Sequence, residues 1–146
     1  MPCCYVIDKE RRLVISIGWG RINFGDMKAH QDSLLADPDF NPEFNQLLDG
    51  REVEAADVSG EEMKLIVRRK VFSRDSRRAW VAKEPSVYGI GRMGMAYLEM
   101  SDNPGNLCAF YDIEPALKWL GVESLPEVLN SDSVKTKAAT LGKRIG

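Results

Sequence analysis

Short apolar runs and helical stretches alternate along this chain, and their order predicts its architecture. Two β-rich runs, Cys4–Ile7 and Leu13–Trp19, flank a short polar turn and predict an antiparallel hairpin. In the second run Leu13, Ile15 and Ile17 alternate with less apolar residues, which indicates one buried face. A helix and then three strand–helix pairs are predicted to follow the hairpin.

The first helix is predicted to begin after Asn23, which can cap it together with Asp26, and to end before Pro38. We expect the inward-facing residues of this helix to be Met27, Gln31, Leu34 and Leu35. His30 is expected at the surface or at its boundary, with no acid–base role.

Three further strands are predicted, at Phe44–Asp49, Arg78–Lys83 and Leu107–Tyr111. The first of these is expected to close at Asp49-Gly50-Arg51. Within the second, the segment Ala79–Ala82 is apolar on both faces, which is typical of a central strand.

The later helices carry their own start and stop signals. Ser59 and Glu62 form a capping box, which predicts that the second helix begins after Ser59. Pro85 opens the third helix, Glu114 begins the fourth, and Gly121 is the expected stop.

These elements predict a single α/β domain over residues 1–121, with a mixed five-stranded sheet and four helices. Residues 122–146 are polar and rich in Ser, Lys and Thr, and predict a tail with a short helix near Ser133–Leu141. Since the hairpin would leave Cys4–Ile7 as an unpaired edge strand, a homodimer is one expected assembly.

Composition and charge exclude several classes of protein. The 146 residues include 20 Lys and Arg against 22 Asp and Glu, and this net charge of −2 argues against a nucleic-acid binder. No apolar stretch approaches the roughly 20 residues that span a bilayer. The beginning of the chain lacks the pattern of a secretory signal, so we expect a cytoplasmic protein. Three cysteines and one histidine lack zinc-site spacing, and we expect neither a metal nor a cofactor.

A glycine segment invites a nucleotide-binding hypothesis. Gly89, Gly91 and Gly94 match the pattern Gly-x-Gly-x-x-Gly. In dinucleotide-binding proteins the first glycine directly follows a strand, so that the pyrophosphate meets the helix N terminus. Here Glu84–Tyr88 intervenes, and we interpret the glycines as close-packing positions inside a helix. A nucleotide-dependent enzyme is therefore the least favoured hypothesis.

Three other groups of residues are candidate sites, each with a purely structural alternative. Asp57, Ser59 and Gly60 mark either a simple helix cap or a phosphorylation site at a helix N terminus. A group of basic residues is interpreted first as a solvated surface, which is favoured. The alternative is a docking patch for an acidic partner or for anionic headgroups. Its members are Arg68, Arg69, Arg74, Arg77 and Arg78. The third group is either core or the lining of a small apolar pocket, and consists of Tyr88, Met93 and Tyr97.

Several segments resemble the bacterial SpoIIAA-like proteins. They are Asp37–Pro42, Leu47–Arg51, Arg78–Ala82, Tyr88–Met93 and Ala116–Gly121. That family is functionally uncharacterised and is related in fold to STAS domains, the anti-sigma-factor antagonists, and to the CRAL-TRIO lipid-binding fold. The resemblance covers about residues 4–121 and implies a STAS-like fold, a mixed five-stranded sheet with an antiparallel edge strand and four helices.

The resemblance also suggests functions. In anti-sigma-factor antagonists an Asp-Ser-Ser/Thr-Gly segment begins the second helix and carries the serine that a partner kinase phosphorylates. Asp57-Val58-Ser59-Gly60 matches its place, with Val58 where one hydroxyl residue would stand. The leading hypothesis is a non-enzymatic cytoplasmic binding module that acts through protein partners at this surface. The alternative is a carrier or sensor of a small apolar, lipid-like ligand.

Overall fold

The computed structural model describes residues 3–102, 104–123 and 131–145. The strands are β1 (Cys3–Asp8), β2 (Leu13–Asn23), β3 (Asn45–Asp57), β4 (Arg77–Ala82), β5 (Asn106–Phe110) and β6 (Arg144–Ile145). The helices described are α1 (Phe24–Ala36), α2 (Gly60–Arg68), α3 (Pro85–Glu99), α4 (Ile113–Trp119) and α5 (Ser131–Leu141). The predicted α/β class and the predicted order of elements through α4 are confirmed.

The strands form one mixed sheet in the order β5-β4-β3-β2-β1-β6. Strands β2 to β5 run parallel, while β1 pairs antiparallel with β2 and with β6. The sheet has a sixth strand beyond the predicted five because the end of the chain returns to the sheet. Since each crossover from β2 to β5 steps in the same direction, the usual right-handed connection places α1, α2 and α3 on one face.

The two faces of the sheet support separate parts of the core. Leu13, Ile15 and Ile17 of β2 pack with residues of α4 and α5. Val14, between them in sequence, packs instead with Leu34 of α1. This division follows from the alternation of side chains along a strand. The face covered by α1, α2 and α3 holds the features that bear on function.

Both predicted capping boxes are present. The Asp26 backbone N–H donates to Asn23 Oδ1 at 2.9 Å, and the Asn23 N–H donates to Asp26 Oδ2 at the same distance. Ser59 and Glu62 exchange the equivalent bonds at 3.1 and 2.9 Å. Gly121 follows α4 with a φ of +73°, a conformation that favours glycine at a helix stop.

Strand β3 is longer than predicted. The expected close at Asp49-Gly50-Arg51 is wrong, because β3 continues to Asp57 and pairs with β2 as far as Asn23. The Asp49 carboxylate holds the Arg51 guanidinium at 2.7 Å within the strand. Asp49 and Gly50, a residue pair that is typical of turns, therefore lie in extended backbone.

The inward face of α1 also differs from the prediction. His30 is only 8% exposed and Leu35 is 50% exposed, which reverses the expected positions of the two residues. Met27, His30, Gln31 and Leu34 follow the i, i+3, i+4, i+7 spacing of one helix face. The histidine thereby replaces Leu35 in the inward stripe.

The C-terminal segment packs on the domain. Val134 and Ala138 of α5 belong to the same buried cluster as β1 and β2. Strand β6 pairs with β1 at Cys3 and Cys4, and the Tyr5 N–H donates to the Lys143 carbonyl at 3.2 Å. The expectation of an unpaired edge at Cys4–Ile7 is therefore wrong over its first two residues, because the tail covers them. Of the helices described, none combines the length and the apolar composition needed to cross a bilayer.

Candidate functional site

Two adjoining cavities lie between the sheet and helices α1, α2 and α3. The first cavity has a volume of about 80 Å³ and almost wholly apolar walls. Its lining includes Met27, His30, Leu48, Val53, Trp80 and Val87. The second cavity, of about 70 Å³, shares four of these residues and extends toward Met63, Ile66, Val67 and Phe72. Since one water needs about 10–15 Å³, each cavity has room for several waters or for a short hydrocarbon chain.

Three buried polar side chains form a hydrogen-bonded chain at the wall that the cavities share. Ser16 Oγ lies 2.7 Å from His30 Nε2, and Gln46 Nε2 donates to Ser16 Oγ at 3.0 Å. Gln46 Nε2 also lies 3.4 Å from His30 Nε2. Ser16 lies in β2, Gln46 lies in β3, and His30 lies in α1, which packs on this face of the sheet. A polar strip therefore crosses the shared wall, and Asp26 and Asp49 in the first cavity and Gln31 and Arg78 in the second are the other polar or charged lining residues.

Burial keeps the His30 ring neutral, and the hydrogen-bonded chain is compatible with one tautomer of it. Burial lowers its pKa to about 4, so the ring is neutral at pH 7. Because Gln46 donates to Ser16 Oγ, the Ser16 hydroxyl proton can point at His30 Nε2, which then accepts. The ring proton lies on Nδ1 in this arrangement. Nδ1 is a buried ring nitrogen without a hydrogen-bond partner among the described residues, and it is a donor in this tautomer.

A polar cleft adjoins the second cavity at the C-terminal end of α2. We call it the arginine cleft because four of the five predicted basic residues line it: Arg68, Arg69, Arg74 and Arg78. The cleft and the second cavity have Val67, Phe72 and Arg78 in common. The structure therefore joins a basic surface to an apolar interior, a link that the sequence does not indicate.

Arg77 does not belong to this cleft. Its Nη1 donates to the Trp119 carbonyl at 2.7 Å, and its guanidinium lies over the Trp119 ring. Trp119 ends α4, on the opposite face of the sheet from Arg78. Neighbouring residues of a strand point to opposite faces, and this alternation separates Arg77 from the other four arginines.

The Ser59 surface is a formed helix cap. Ser59 itself is exposed, and its hydroxyl oxygen accepts the Glu62 N–H. Asp57 is held by Arg21 through two bonds of 2.9 and 3.2 Å. Gly60 lies under Tyr97, whose hydroxyl would be 2.9 Å from a Cβ at that position. The sequence-predicted cap is confirmed, and its role as a phosphorylation site stays a prediction.

The three residues predicted either as core or as an apolar pocket have different neighbours in the structure. Tyr88 stacks on Tyr111, with ring centroids 3.9 Å apart. Met93 and Tyr97 lie instead beside Gly60 of α2, and Lys64 approaches the Tyr97 ring. The two cavities described above are lined by other residues. All three side chains pack against the buried cluster that contains Trp80 and Val87, as the core interpretation expects, and a pocket at these residues stays a prediction.

The glycine segment lies inside α3, as the sequence analysis expected. A Cβ at Gly91 would meet the Trp80 ring at 2.5 Å, and one at Gly94 would meet Met63 Cε at 2.7 Å. These glycines let α3 approach the sheet and α2 closely. Their position within the helix gives no support to a dinucleotide-binding role for this segment. Within the described residues, no three His, Cys, Asp or Glu side chains are placed to hold a metal ion.

Comparison with solved structures identifies the fold. The chain is similar to the crystal structure of an uncharacterised protein of the DUF3478 family, with a SpoIIAA-like fold, from Shewanella loihica PV-4. The two are 20% identical with a TM-score of 0.54, over 82% of this chain and 94% of the other. No protein-family model matches the chain, and no curated protein does so either. The protein has a SpoIIAA-like α/β fold, which confirms the fold that the resemblance implied.

Sequence reasoning missed the residues that bring this site together. The spacing of Met27, His30, Gln31 and Leu34 could have placed His30 on the inward face of α1. By contrast, Ser16 and Gln46 meet His30 only because β2 and β3 are adjacent in the sheet. Their positions along the sequence carry no signal for this contact.

Proposed function

We propose that this protein binds a small, largely apolar molecule between the sheet and helices α1, α2 and α3, as a carrier or a sensor. The observation that carries this proposal is the pair of adjoining apolar cavities on one face of the sheet. A hydrocarbon that fills such a space removes apolar wall surface from water, which is favourable.

Native mass spectrometry of the purified full chain, compared with the denatured sample, tests whether a ligand copurifies. The matched binding test uses 1-octanol as the probe and the melting temperature as the readout. A ligand that binds only the folded state raises this temperature. We expect 1-octanol to raise it for the wild-type chain.

Two Leu→Phe variants make the test specific. Leu48 lines both cavities, so Leu48→Phe fills space that the probe would occupy. Leu65 is 58% exposed on α2, so Leu65→Phe adds the same atoms at the surface. We expect the shift with 1-octanol to persist in Leu65→Phe and to vanish in Leu48→Phe. Equal shifts in both folded variants, or no shift in the wild type, would contradict the proposal.

The second candidate function is a regulatory module that acts through a protein partner at Ser59. The exposed hydroxyl at the N terminus of α2 favours it, because a phosphate there would meet free N–H groups and the positive end of the helix dipole. Glu61 and Glu62 in the first turn oppose an added negative charge. The test is the intact mass of the protein isolated from its own cells. An added phosphate that maps to Ser59 and is missing in Ser59→Ala would support this function.

A further inference from the structure

Arg78 occupies the junction between the arginine cleft and the second cavity. It lines both spaces, together with Val67 and Phe72. In the sheet it pairs in register with Gln46, on the face covered by α1, α2 and α3. A ligand that entered the second cavity from the cleft would therefore pass the guanidinium of Arg78.

The guanidinium of Arg78 has no anionic partner among the described residues. It lies over the Phe72 ring, 5.5 Å from the centroid, and no described carboxylate forms an ion pair with it. Burial lowers the pKa of Arg78 to about 10, so the side chain remains charged at pH 7. A partly desolvated cation without a partner is unfavourable, and a bound anion would relieve this.

Two carboxylates beside the cleft are bonded to residues of its lining other than Arg78. Asp32 pairs with Arg69 and with Lys28, and Glu43 accepts a hydrogen bond from Ser73 Oγ at 3.2 Å. Arg68 and Arg74 line the same cleft and are exposed. The cleft therefore keeps an excess of positive charge, which attracts an anion toward Arg78.

We infer that Arg78 binds the acid group of an amphipathic ligand, a monocarboxylic acid whose hydrocarbon part occupies the second cavity. This inference rests on the proposed function and names the class of ligand. The planar guanidinium matches a carboxylate with two parallel hydrogen bonds, which a neutral hydroxyl cannot reproduce. The apolar walls beyond Val67 and Phe72 accept the chain of the acid.

The test compares two probes of equal chain length, octanoate and 1-octanol, by titration calorimetry at pH 7. We expect octanoate to bind the wild-type chain roughly tenfold or more tightly than 1-octanol, since a hydrogen bond to a charged group adds this much. Arg78→Gln should abolish the preference, so that the variant binds the two probes with equal affinity. Arg77→Gln is the matched control, because Arg77 points to the opposite face of the sheet, and it should keep the preference.

The possible results separate this inference from the proposed function. Equal binding of both probes to the wild type would overturn the role of Arg78 and leave the cavity as a binding site. Binding of neither probe would overturn both. Inorganic phosphate is a third probe: competition with octanoate would support a shared anion site. Tight phosphate binding without octanoate binding would overturn the amphipathic ligand.

Thermal unfolding shows whether Arg78 has a purely structural role. Arg78→Met removes an unpaired charge and keeps an unbranched apolar stem, so its melting temperature should equal or exceed that of the wild type. Loss of octanoate preference in a variant this stable supports the inference. A lower melting temperature together with equal loss of both probes would show that Arg78 supports the fold and would overturn the inference.

Discussion

Gly91 of α3 lies directly against Trp80 of β4, so close that a Cβ at Gly91 would be 2.5 Å from the indole Cδ1. The Trp80 Nε1–H donates to the Val87 carbonyl at 3.1 Å, which ties the same ring to the first turns of α3. The indole also forms a wall of both cavities. The approach of one glycine therefore sets the position of a side chain that shapes the candidate site.

Substitution of Gly91 by Ala should destabilise the protein, although Ala favours a helix over Gly. The added methyl group would force Trp80 or α3 to move, and such overpacking costs about 1–3 kcal/mol. Gly89→Ala is the matched control, because nothing lies within 4 Å of a Cβ there. Since both variants gain the same helix propensity, urea unfolding should show Gly91→Ala to be less stable by about 1–3 kcal/mol. Equal stability of the two variants would contradict this packing.

The buried His30 should make stability depend on pH. Its pKa is about 4 in the folded chain against the usual 6.5, so the unfolded chain binds a proton first as the pH falls. The stabilisation from the neutral ring is complete above pH 6.5 and is lost between pH 6.5 and about 4. The loss is on the order of 3 kcal/mol.

The measurement is the free energy of unfolding of wild type and His30→Gln across this pH range. The acidic residues titrate in both proteins, so the difference between the two curves isolates the histidine. We expect the wild type to lose its advantage, or to fall below the variant, as the pH drops. Curves that stay parallel would show that His30 is not buried as a neutral ring.

The C-terminal helix should contribute to stability. Val134 is 3% exposed and packs against the core on β1 and β2, so Val134→Ala removes two buried carbons and leaves a cavity. We expect a loss of about 2 kcal/mol in the free energy of unfolding. Thr136→Ala, at an exposed position on the same helix, should leave stability nearly unchanged. Similar stability of all three proteins would mean that α5 does not pack on the sheet in solution.

The cap of α2 predicts how substitutions of Ser59 change the free energy of unfolding, apart from any effect of phosphorylation. Ser59→Ala removes the acceptor of the Glu62 N–H and should lower the free energy of unfolding by about 1 kcal/mol. Ser59→Asp keeps a capping oxygen and should stay close to the wild type. Denaturant unfolding distinguishes the two. A Ser59→Asp variant as unstable as Ser59→Ala would show that Glu62 does not tolerate the added charge.

The sequence by itself determined the elements whose signals are local. The capping residues Asn23 and Ser59 each act within one turn of their own helix, and the alternation of Leu13, Ile15 and Ile17 lies within one strand. Local hydrogen bonds and side-chain periodicity decide such features, so the order of elements and the mixed α/β class could be predicted. The same locality explains why Gly91 could be assigned to a helix interior.

Only the tertiary structure decided which side chains contact one another across neighbouring strands. Gln46 reaches Ser16 and His30, and Arg78 reaches the second cavity, because β2, β3 and β4 are neighbours in the sheet. The tail that reads as polar covers β1 with two buried residues, Val134 and Ala138. These contacts join residues far apart in the chain, and their free energy comes from burial that exists only once the sheet and helices have packed. The sequence therefore determined the parts, and long-range packing assembled the cavities and the cleft.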